Sequence, residues 1–291
     1  MKPQHLLFLM AINVVWGLNA VASKFAVDSM GAMTSTFFRF AIVFAVLTPF
    51  LRWQPGRMWM IFITSLFGGA IFLGVASLSY EVADNVSALA IVGQLGVPFS
   101  LILGVMVLGE KIHWPRMVGI ALSFAGVLLL GFDPALFDER LGLLLTVLSA
   151  VLWSVSSLMF RQLKGIPAMV IYAWLAAFSA PILLIASLIL EPGELQRAVG
   201  MPLSAFGWVA FSALGSSIMG QGGMAWLLQR YPLSMISSLT LVAPLLAVVF
   251  ATLVFHTPLT PRMIGGGVLM LIGIAIITVR TAQARERQAA G

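Results

Sequence analysis

The sequence predicts an all-α integral membrane protein whose ten transmembrane helices form two inverted five-helix repeats. Hydrophobic residues make up 60% of the 291 positions and charged residues only 9%, whereas about a quarter of a soluble domain is charged. The apolar residues fall in stretches long enough to cross a bilayer, and several residues recur at constant spacing in the two halves. A water-soluble fold could not bury so much apolar surface.

Ten apolar stretches are separated by polar, proline or glycine breaks, and each has roughly the 20 residues that one membrane crossing requires. The predicted spans are 5–27, 33–51, 58–80, 86–108, 115–132, 141–162, 168–190, 204–228, 234–255 and 262–280. The first five form a predicted repeat over 1–135. The other five form a second repeat over 136–291, which ends in a short basic tail.

The start of the chain also has features of a cleavable signal peptide. Lys2 precedes an apolar run over 6–15, and the small residues Ala20, Val21 and Ala22 follow. Because this segment takes part in the internal repeat, we expect it to be retained as the first helix.

Basic residues cluster at one end of the predicted bundle. With the N-terminus in the cytoplasm, eleven of the sixteen Lys and Arg residues fall in cytoplasmic segments. These are Lys2, Arg52, Arg57, Lys111, Arg116, Arg161, Lys164, Arg230, Arg280, Arg285 and Arg287. Most acidic residues fall at the opposite end. Because basic residues mark cytoplasmic loops, both termini are predicted to be cytoplasmic.

An internal repeat becomes visible when the chain is slid along itself by 146 residues. The aligned pairs are Tyr80 with Trp226, Gln94 with Thr240, Pro98 with Pro244, Glu110 with His256, Pro115 with Pro261, and Gly119 with Gly265. An offset of 137 aligns Trp16 with Trp153, Asn19 with Ser156, and Lys24 with Arg161. Helix-forming composition alone would align leucines and alanines rather than these residue types, so a duplication is predicted.

Each predicted half has five spans, and because five is odd the second half must enter the membrane from the opposite side. Inverted repeats are common in secondary transporters, whose two similar halves exchange conformations around a central site. The alternative is a duplication that is kept only for stability.

Several short motifs in this order resemble the drug/metabolite transporter superfamily, specifically its ten-helix EamA branch. They are Trp16-Gly17, Lys24, Arg39, Pro98, Leu108-Gly109-Glu110-Lys111, Gly119 and Gly126, with Pro244, Pro261 and Gly265 in the second half. The second half departs from the pattern, because Phe255-His256 replaces the Gly-Glu pair. The resemblance covers nearly the whole chain. It implies a bacterial inner-membrane carrier with cytoplasmic termini, several relatives of which export amino acids or related metabolites.

Polar side chains near the middle of the first and sixth spans are candidates for a substrate cavity. They are Asn13, Trp16 and Asn19 on one face of the first span, and Trp153, Ser156 and Ser157 on the sixth. Polar groups within hydrocarbon are costly and normally face a protein interior or an aqueous cavity. The alternative, strongest for the serines, is hydrogen bonding between helices.

Proline interrupts the fourth and ninth spans at equivalent positions. Pro98 and Pro244 lack an N–H, which frees the carbonyls of Gln94 and Thr240 four residues earlier. These symmetric sites are predicted to bind substrate or to act as hinges. The alternative is a tolerated kink satisfied by a nearby Ser or Thr. Gln221, within a glycine-rich run, is a further cavity candidate.

Gating residues are predicted among charged and aromatic side chains near the span ends. They are Lys24, Arg39, Tyr80, Glu81, Asp84, Glu110 and Trp226. Lys24 and Arg39 could attract a substrate carboxylate or pair with acidic residues as an external gate. Simple snorkelling also explains Lys24. Tyr172 and Trp174 are expected to face lipid or to pack.

The composition excludes several other functions. There is no cysteine, and the three histidines are far apart in sequence, so no metal, cofactor or catalytic site is predicted. The net charge of +6 is explained by cytoplasmic loops without a nucleic-acid partner. No Asp or Glu is predicted at the membrane midplane, which favours facilitated movement or exchange, although an edge carboxylate could still couple protons.

The sequence therefore predicts a transporter in the bacterial inner membrane, in contact with lipid and a small-molecule substrate. An exporter of a metabolite such as an aromatic or other neutral amino acid is the first hypothesis, because the proposed wall combines tryptophan with neutral amides and hydroxyls. An exporter of hydrophobic cations is the alternative, since the same aromatic residues would supply cation–π contacts. An intramembrane enzyme or a scaffold is disfavoured. Monomer and homodimer both remain open.

Overall fold

A computed structural model describes residues 1–108, 114–228, 230–231, 233–257 and 259–290 of the chain. Its ten main helices follow one another as α1 Pro3–Met30, α2 Ala32–Phe50, α3 Met58–Val82, α4 Val86–Val107, α5 Trp114–Gly131, α6 Arg140–Gln162, α7 Ala168–Leu190, α8 Leu203–Leu228, α9 Leu233–Thr240 with Val242–Phe255, and α10 Pro261–Ala290. The end of the bundle where α1 begins is called the terminal end, and the opposite end the far end.

The helices have the length and composition of membrane spans. Within the described ranges, nine of them are long and apolar enough to cross a bilayer, and the apolar segment Val242–Phe255 of α9 is shorter. No strand is present in the same ranges. The prediction of an all-α membrane fold is confirmed.

Two helices are interrupted where the sequence places an internal proline. In α4 the residues Gly93–Leu95 form a 3₁₀ turn shortly before Pro98, and α9 breaks at Leu241 shortly before Pro244. A proline in a helix removes one backbone hydrogen bond and clashes with the preceding turn. The ninth span, predicted over 234–255 with an interruption at Pro244, is two segments.

The last helices of the two halves, α5 and α10, run antiparallel and in close contact. A Cβ atom at Gly119 would lie 2.7 Å from the carbonyl oxygen of Gly273, and one at Gly126 would lie 2.9 Å from the backbone nitrogen of Met270. Residue numbers rise along one helix as they fall along the other. Small residues at such an interface let two backbones approach closely.

The second helices of the two halves, α2 and α7, are also antiparallel. At the far end the hydroxyls of Thr34 and Ser187 lie 2.7 Å apart, and at the terminal end the Trp174 indole donates to the Arg52 carbonyl over 3.0 Å. Two pairs of helices with the same position in each half thus run in opposite directions. This is the arrangement that inverted repeats require.

The first helix of each half packs against equivalent helices of the bundle. Helix α1 packs against α8 and α9 of the other half, and its counterpart α6 packs against α3 and α4. A Cβ at Gly17 in α1 would lie 2.7 Å from the Leu246 side chain, and one at Gly96 in α4 would lie 2.8 Å from the Trp153 ring. Glycine therefore permits both approaches.

Helices α3 and α8 each contain a π-helical segment at an equivalent place, Leu66–Ile71 and Phe211–Gly220. A π-helical turn leaves backbone carbonyls without their usual partners and is frequent at functional sites. Side chains satisfy some of them here. The Ser179 hydroxyl donates to the Ser65 carbonyl over 3.1 Å, and the Ser217 hydroxyl donates to the Ser212 carbonyl over 3.2 Å.

The close packing of α5 on α10 predicts unequal effects of two glycine substitutions. We expect Gly126→Ala to destabilise the protein by about 1–3 kcal/mol, because the added methyl group has no room and the helices must separate. Gly131→Ala in the same helix is the matched control, since nothing lies within 4 Å of its Cβ position. Thermal unfolding in detergent measures both, and an equal melting temperature for the two variants would contradict the packing.

Candidate functional site

A central cavity of about 490 Å³ lies between the two halves of the bundle. Helices α1, α2, α3 and α4 line it from the first half, and α6, α7, α8 and α9 line it from the second. Sites for small molecules are clefts of about 300–1,000 Å³ with mostly apolar walls and a few polar groups. The cavity therefore has the size of a site for a small metabolite.

The cavity wall is rich in aromatic side chains. Trp16 and Trp153, equivalent residues of α1 and α6, both line it. The Trp153 ring lies 5.3 Å from that of Phe72, and the Tyr172 ring is stacked 6.2 Å from that of Phe160. Rings from both halves thus offer an apolar surface to a bound molecule.

The Trp16 side chain is fixed by the π-helical segment of α8. Its indole N–H donates to the carbonyl of Ser216 over 3.3 Å. A side chain at Gly220 would collide with the indole ring. The π-helical turn and its glycine thus hold Trp16 at the cavity.

A second cavity of about 410 Å³ lies beside the first, toward the terminal end. The two share Trp16, Gln94, Val97 and Ala247 as lining residues. Helices α9 and α10 complete the second cavity with Thr240, Leu241, Ala243, Pro244, Ile274 and Thr278. The interruption of α4 therefore lies where the two cavities meet, with Gln94 lining each, and the interruption of α9 lines the second cavity.

Arg39 is the charged residue of the central cavity, and no other Lys, Arg, Asp or Glu of the described chain lines it. Its guanidinium donates through Nε and Nη2 to the Ser217 hydroxyl, over 3.2 and 3.0 Å. Ser217 belongs to the π-helical segment of α8, so this contact joins the two halves.

The structure brings six of the nine predicted cavity residues to the two cavities, together with three predicted gating or hinge residues, Arg39, Tyr80 and Pro244. Those that line at least one cavity are Trp16, Asn19, Arg39, Tyr80, Gln94, Trp153, Gln221, Thr240 and Pro244. Pro98 lies in α4 just beyond the 3₁₀ turn, outside both lining sets.

Three predicted cavity residues lie between helices instead. Asn13 is fully buried and donates to the carbonyls of Leu9 and Leu239 over 2.9 and 3.3 Å. The hydroxyls of Ser156 and Ser157 donate to backbone carbonyls of their own helix over 2.8 and 2.7 Å. Asn13 thus bonds to a neighbouring helix, and the Ser157 hydroxyl also lies 3.3 Å from that of Ser100 in α4, whereas Ser156 bonds to its own helix.

Lys24 is buried at the far end, where it joins α1 to the residues that link α3 and α4. Its ammonium group donates to the Tyr80 carbonyl over 2.9 Å and lies 3.0 Å from an Asp28 oxygen and 3.5 Å from an Asp84 oxygen. Tyr80 also lines the central cavity. These contacts join the far-end parts of α1 and α3 beside the cavity.

The other predicted gating residues are more distant from the cavity. Glu81 lines a separate far-end depression together with Asp28, Glu191 and Glu194. Trp226 lies at the terminal end, 4.8 Å from the His5 ring and under the Arg230 guanidinium at 4.0 Å. Glu110 lies outside the described residues.

Sequence reasoning missed part of the cavity wall. The additional polar and aromatic lining residues include Ser23, Phe72, Ser77, Thr146, Ser149, Phe160, Tyr172, Ser216 and Ser217. Tyr172, which was expected to face lipid or to pack, packs on Phe160 and also lines the cavity. The Gly68-Gly69 pair was the available signal for the π-helical segment of α3. A Cβ atom at Gly68 would lie 2.8 Å from the Ser156 side chain.

A bundle of apolar, membrane-length helices around a cavity shared by two halves defines a multi-span membrane transporter. Within the described residues, no group of three or more His, Asp or Glu side chains is placed to hold a metal ion. The chain belongs to the EamA-like transporter family, whose model matches residues 4–132 and 140–279. The resemblance seen in the sequence is confirmed.

Known proteins resemble the chain over nearly its whole length. A protein of Escherichia coli K12 named "Probable amino-acid metabolite efflux pump" is 27% identical over 280 residues, which cover 91% of each chain. One of Archaeoglobus fulgidus named "Uncharacterized transporter" is 26% identical over 285 residues, covering 92% of this chain and 97% of its own. A solved structure with 20% identity covers 98% of this chain and 100% of its own at a TM-score of 0.64, which shows a shared fold. The chain is thus a transporter rather than an enzyme.

The contacts of Lys24 predict that its loss loosens the far end. A single cysteine introduced by Ser23→Cys should react with a soluble maleimide about fivefold faster in Lys24→Met than with Lys24 present. This factor corresponds to the loss of roughly 1 kcal/mol of contact free energy. The natural chain has no cysteine, so the label reports one site. Lys24→Arg, which keeps the charge, should show a smaller change. An unchanged rate in Lys24→Met would exclude the gating role.

Proposed function

We propose that the protein is a secondary transporter that exports a small metabolite, an amino acid, by alternating access through the central cavity. The observation that carries this proposal is the position of the cavity between two halves whose equivalent helices are antiparallel. Equivalent residues, above all Trp16 and Trp153, line it from both sides. A site between two similar halves can open to each side in turn if the halves exchange conformations.

The lining of the cavity supports an amino acid with an apolar side chain as cargo. Trp16, Phe72 and Trp153 supply an apolar surface, while Asn19 and Gln94 supply neutral amides. Such a combination buries an apolar body and orients a polar group. The name of the Escherichia coli relative, which refers to amino-acid metabolites and efflux, supports the same class of cargo and the direction of export.

The interrupted helices α4 and α9 supply the hinges of the proposed movement. Each break precedes a proline. Bending at Gly93–Leu95 would change both cavities, because Gln94 lines each, and bending at Leu241 would change the second cavity and move Ala247, which lines both. The contacts of Lys24 would hold the far end closed.

We further propose an orientation in the bacterial inner membrane with both termini in the cytoplasm. The terminal end of the bundle then faces the cytoplasm, and the Lys24 contacts face outward. This follows from the excess of basic residues at the terminal end. No Asp or Glu among the described residues lines either cavity, which favours facilitated movement or exchange over a buried carboxylate relay.

Transport by purified protein in proteoliposomes tests the proposed function. A panel of labelled amino acids and cationic dyes, run with and without a pH gradient, identifies the cargo and its coupling. We expect Trp16→Ala and Gln94→Ala to reduce the flux of the transported compound about tenfold or more, because both remove contacts made by the cavity wall.

Two controls accompany the flux measurement. Trp114→Ala removes a tryptophan that is 72% exposed and lies outside both cavities, so flux should stay at the wild-type level. Size-exclusion profiles show whether each variant remains folded. Unchanged flux in both Trp16→Ala and Gln94→Ala would overturn the assignment of the cavity.

A further inference from the structure

Arg39 lies in a spanning helix and yet has no acidic partner among the residues that the structure describes. Among the described residues, Lys24 pairs with Asp28 and Asp84, and Arg197 pairs with Glu194. The hydrogen bonds of the Arg39 side chain go to the Ser217 hydroxyl. A neutral hydroxyl oxygen cannot compensate a full positive charge.

An uncompensated cation inside a membrane protein is costly, and charged groups there are normally paired or hydrated. Ser217 takes two of the five N–H groups of the Arg39 guanidinium. The other three N–H groups can reach only the cavity or the space behind the side chain. The partner of Arg39 must therefore enter one of these two spaces.

The space behind Arg39 is small and lined by hydroxyls. It measures about 20 Å³ and is bounded by Ser23, Ser35, Thr36, Ser77 and Ser212 together with apolar residues. The Ser212 hydroxyl is buried there without a hydrogen-bond partner. A void of this size holds about one water molecule. It is too small for a carboxylate, so a counter-ion for Arg39 must come from the central cavity.

The central cavity is large enough to hold a counter-ion for Arg39. Its volume of about 490 Å³ accommodates an organic anion, and Arg39 is its charged residue. A planar guanidinium with parallel N–H groups matches a carboxylate better than any other side chain does. A cationic substrate would instead meet a like charge in a region of low dielectric constant, which is unfavourable.

The cavity that Arg39 lines also contains a polar acceptor without a partner. Asn19 lines the same cavity, and its Oδ1 atom is buried without a hydrogen-bond partner. The Asn19 amide nitrogen lies 3.5 Å from the hydroxyl of Ser23, which lines the void behind Arg39. The amide could thus accept a hydrogen bond from an ammonium group of a molecule whose carboxylate contacts Arg39.

We propose that Arg39 binds the carboxylate of the substrate, so that the transporter selects singly charged organic acids and zwitterions with an apolar body and rejects amines that lack an acidic group. This inference rests on the proposed function, since it assigns the substrate class of the same cavity. Ser217 positions the guanidinium, and Trp16, Phe72 and Trp153 contact the apolar body of the substrate.

Three probes with one phenyl body test the inference. L-Phenylalanine carries both charged groups, 3-phenylpropanoate only the carboxylate, and phenethylamine only the ammonium group. Binding to purified full-length protein in detergent is measured by competition, and flux is measured in proteoliposomes. We expect the two carboxylates to bind and phenethylamine to bind at least about tenfold more weakly.

Variants at the guanidinium distinguish binding from support of the fold. Arg39→Gln should weaken both carboxylates about tenfold or more while leaving phenethylamine unchanged or improved, because it removes the charge and keeps a hydrogen-bond donor. Arg39→Lys should restore part of the carboxylate binding. Arg140→Gln is the control, since it removes a positive charge from an exposed residue outside both cavities, and it should leave the binding of all three probes unchanged.

The possible outcomes separate the two proposals. Wild-type binding of phenethylamine at the affinity of phenylalanine, or undiminished carboxylate binding in Arg39→Gln, would overturn the role of Arg39. Transport of only cationic or uncharged compounds from the wider panel would overturn both the role of Arg39 and the amino-acid cargo, while transport through the central cavity would stand. If wild-type protein moves no compound at all, the proposed function fails and this inference fails with it.

Discussion

The antiparallel contact of equivalent helices is the constraint on which the rest of the fold depends. Helices α5 and α10 approach through Gly119 and Gly126, and α2 and α7 meet through Thr34 and Ser187. Around these pairs, α1 packs against α8 and α9 of the second half in the same way as α6 packs against α3 and α4 of the first half. The space between the halves is therefore lined by both, and the paired tryptophans of α1 and α6 reach it together.

The hydrogen bonds of the bundle show how polar groups are accommodated in an apolar environment. At the far end the Glu191 carboxylate accepts from the backbone N–H groups of Met33 and Thr34 over 2.6 and 2.9 Å, which satisfies the start of α2. Serine hydroxyls satisfy carbonyls near the breaks, as in the 3.1 Å contact from Ser154 to Gly96. Against this background the guanidinium of Arg39 stands out, because its charge lacks an acidic partner within the described chain.

The sequence alone predicted much of the fold, since composition, span length and the repeat depend on local pattern. Trp16, Trp153 and Gln94 could be assigned to a cavity because a polar or bulky group deep in a span needs an interior partner. The break in α9 also follows from Pro244, although its extent was not expected.

Other features depend on tertiary contacts that the pattern does not contain. Asn13 shares a helical face with Trp16, but its amide bonds to the Leu239 carbonyl of a neighbouring helix. Ser156 turns back onto its own helix and packs against Gly68. The π-helical segment of α8 has no clear signature in the sequence, so Ser216 and Ser217 were not identified as partners of Trp16 and Arg39.

The inverted relation of the halves is the central claim, and the sidedness of equivalent loops measures it most directly. Pro55 lies between α2 and α3, Pro192 lies in the corresponding connection between α7 and α8, and both are exposed. Single cysteines from Pro55→Cys and Pro192→Cys would be labelled in intact cells with a membrane-impermeant maleimide. We expect labelling at position 192 in intact cells and at position 55 only after permeabilisation. Labelling of both positions from the same side would contradict the inverted arrangement.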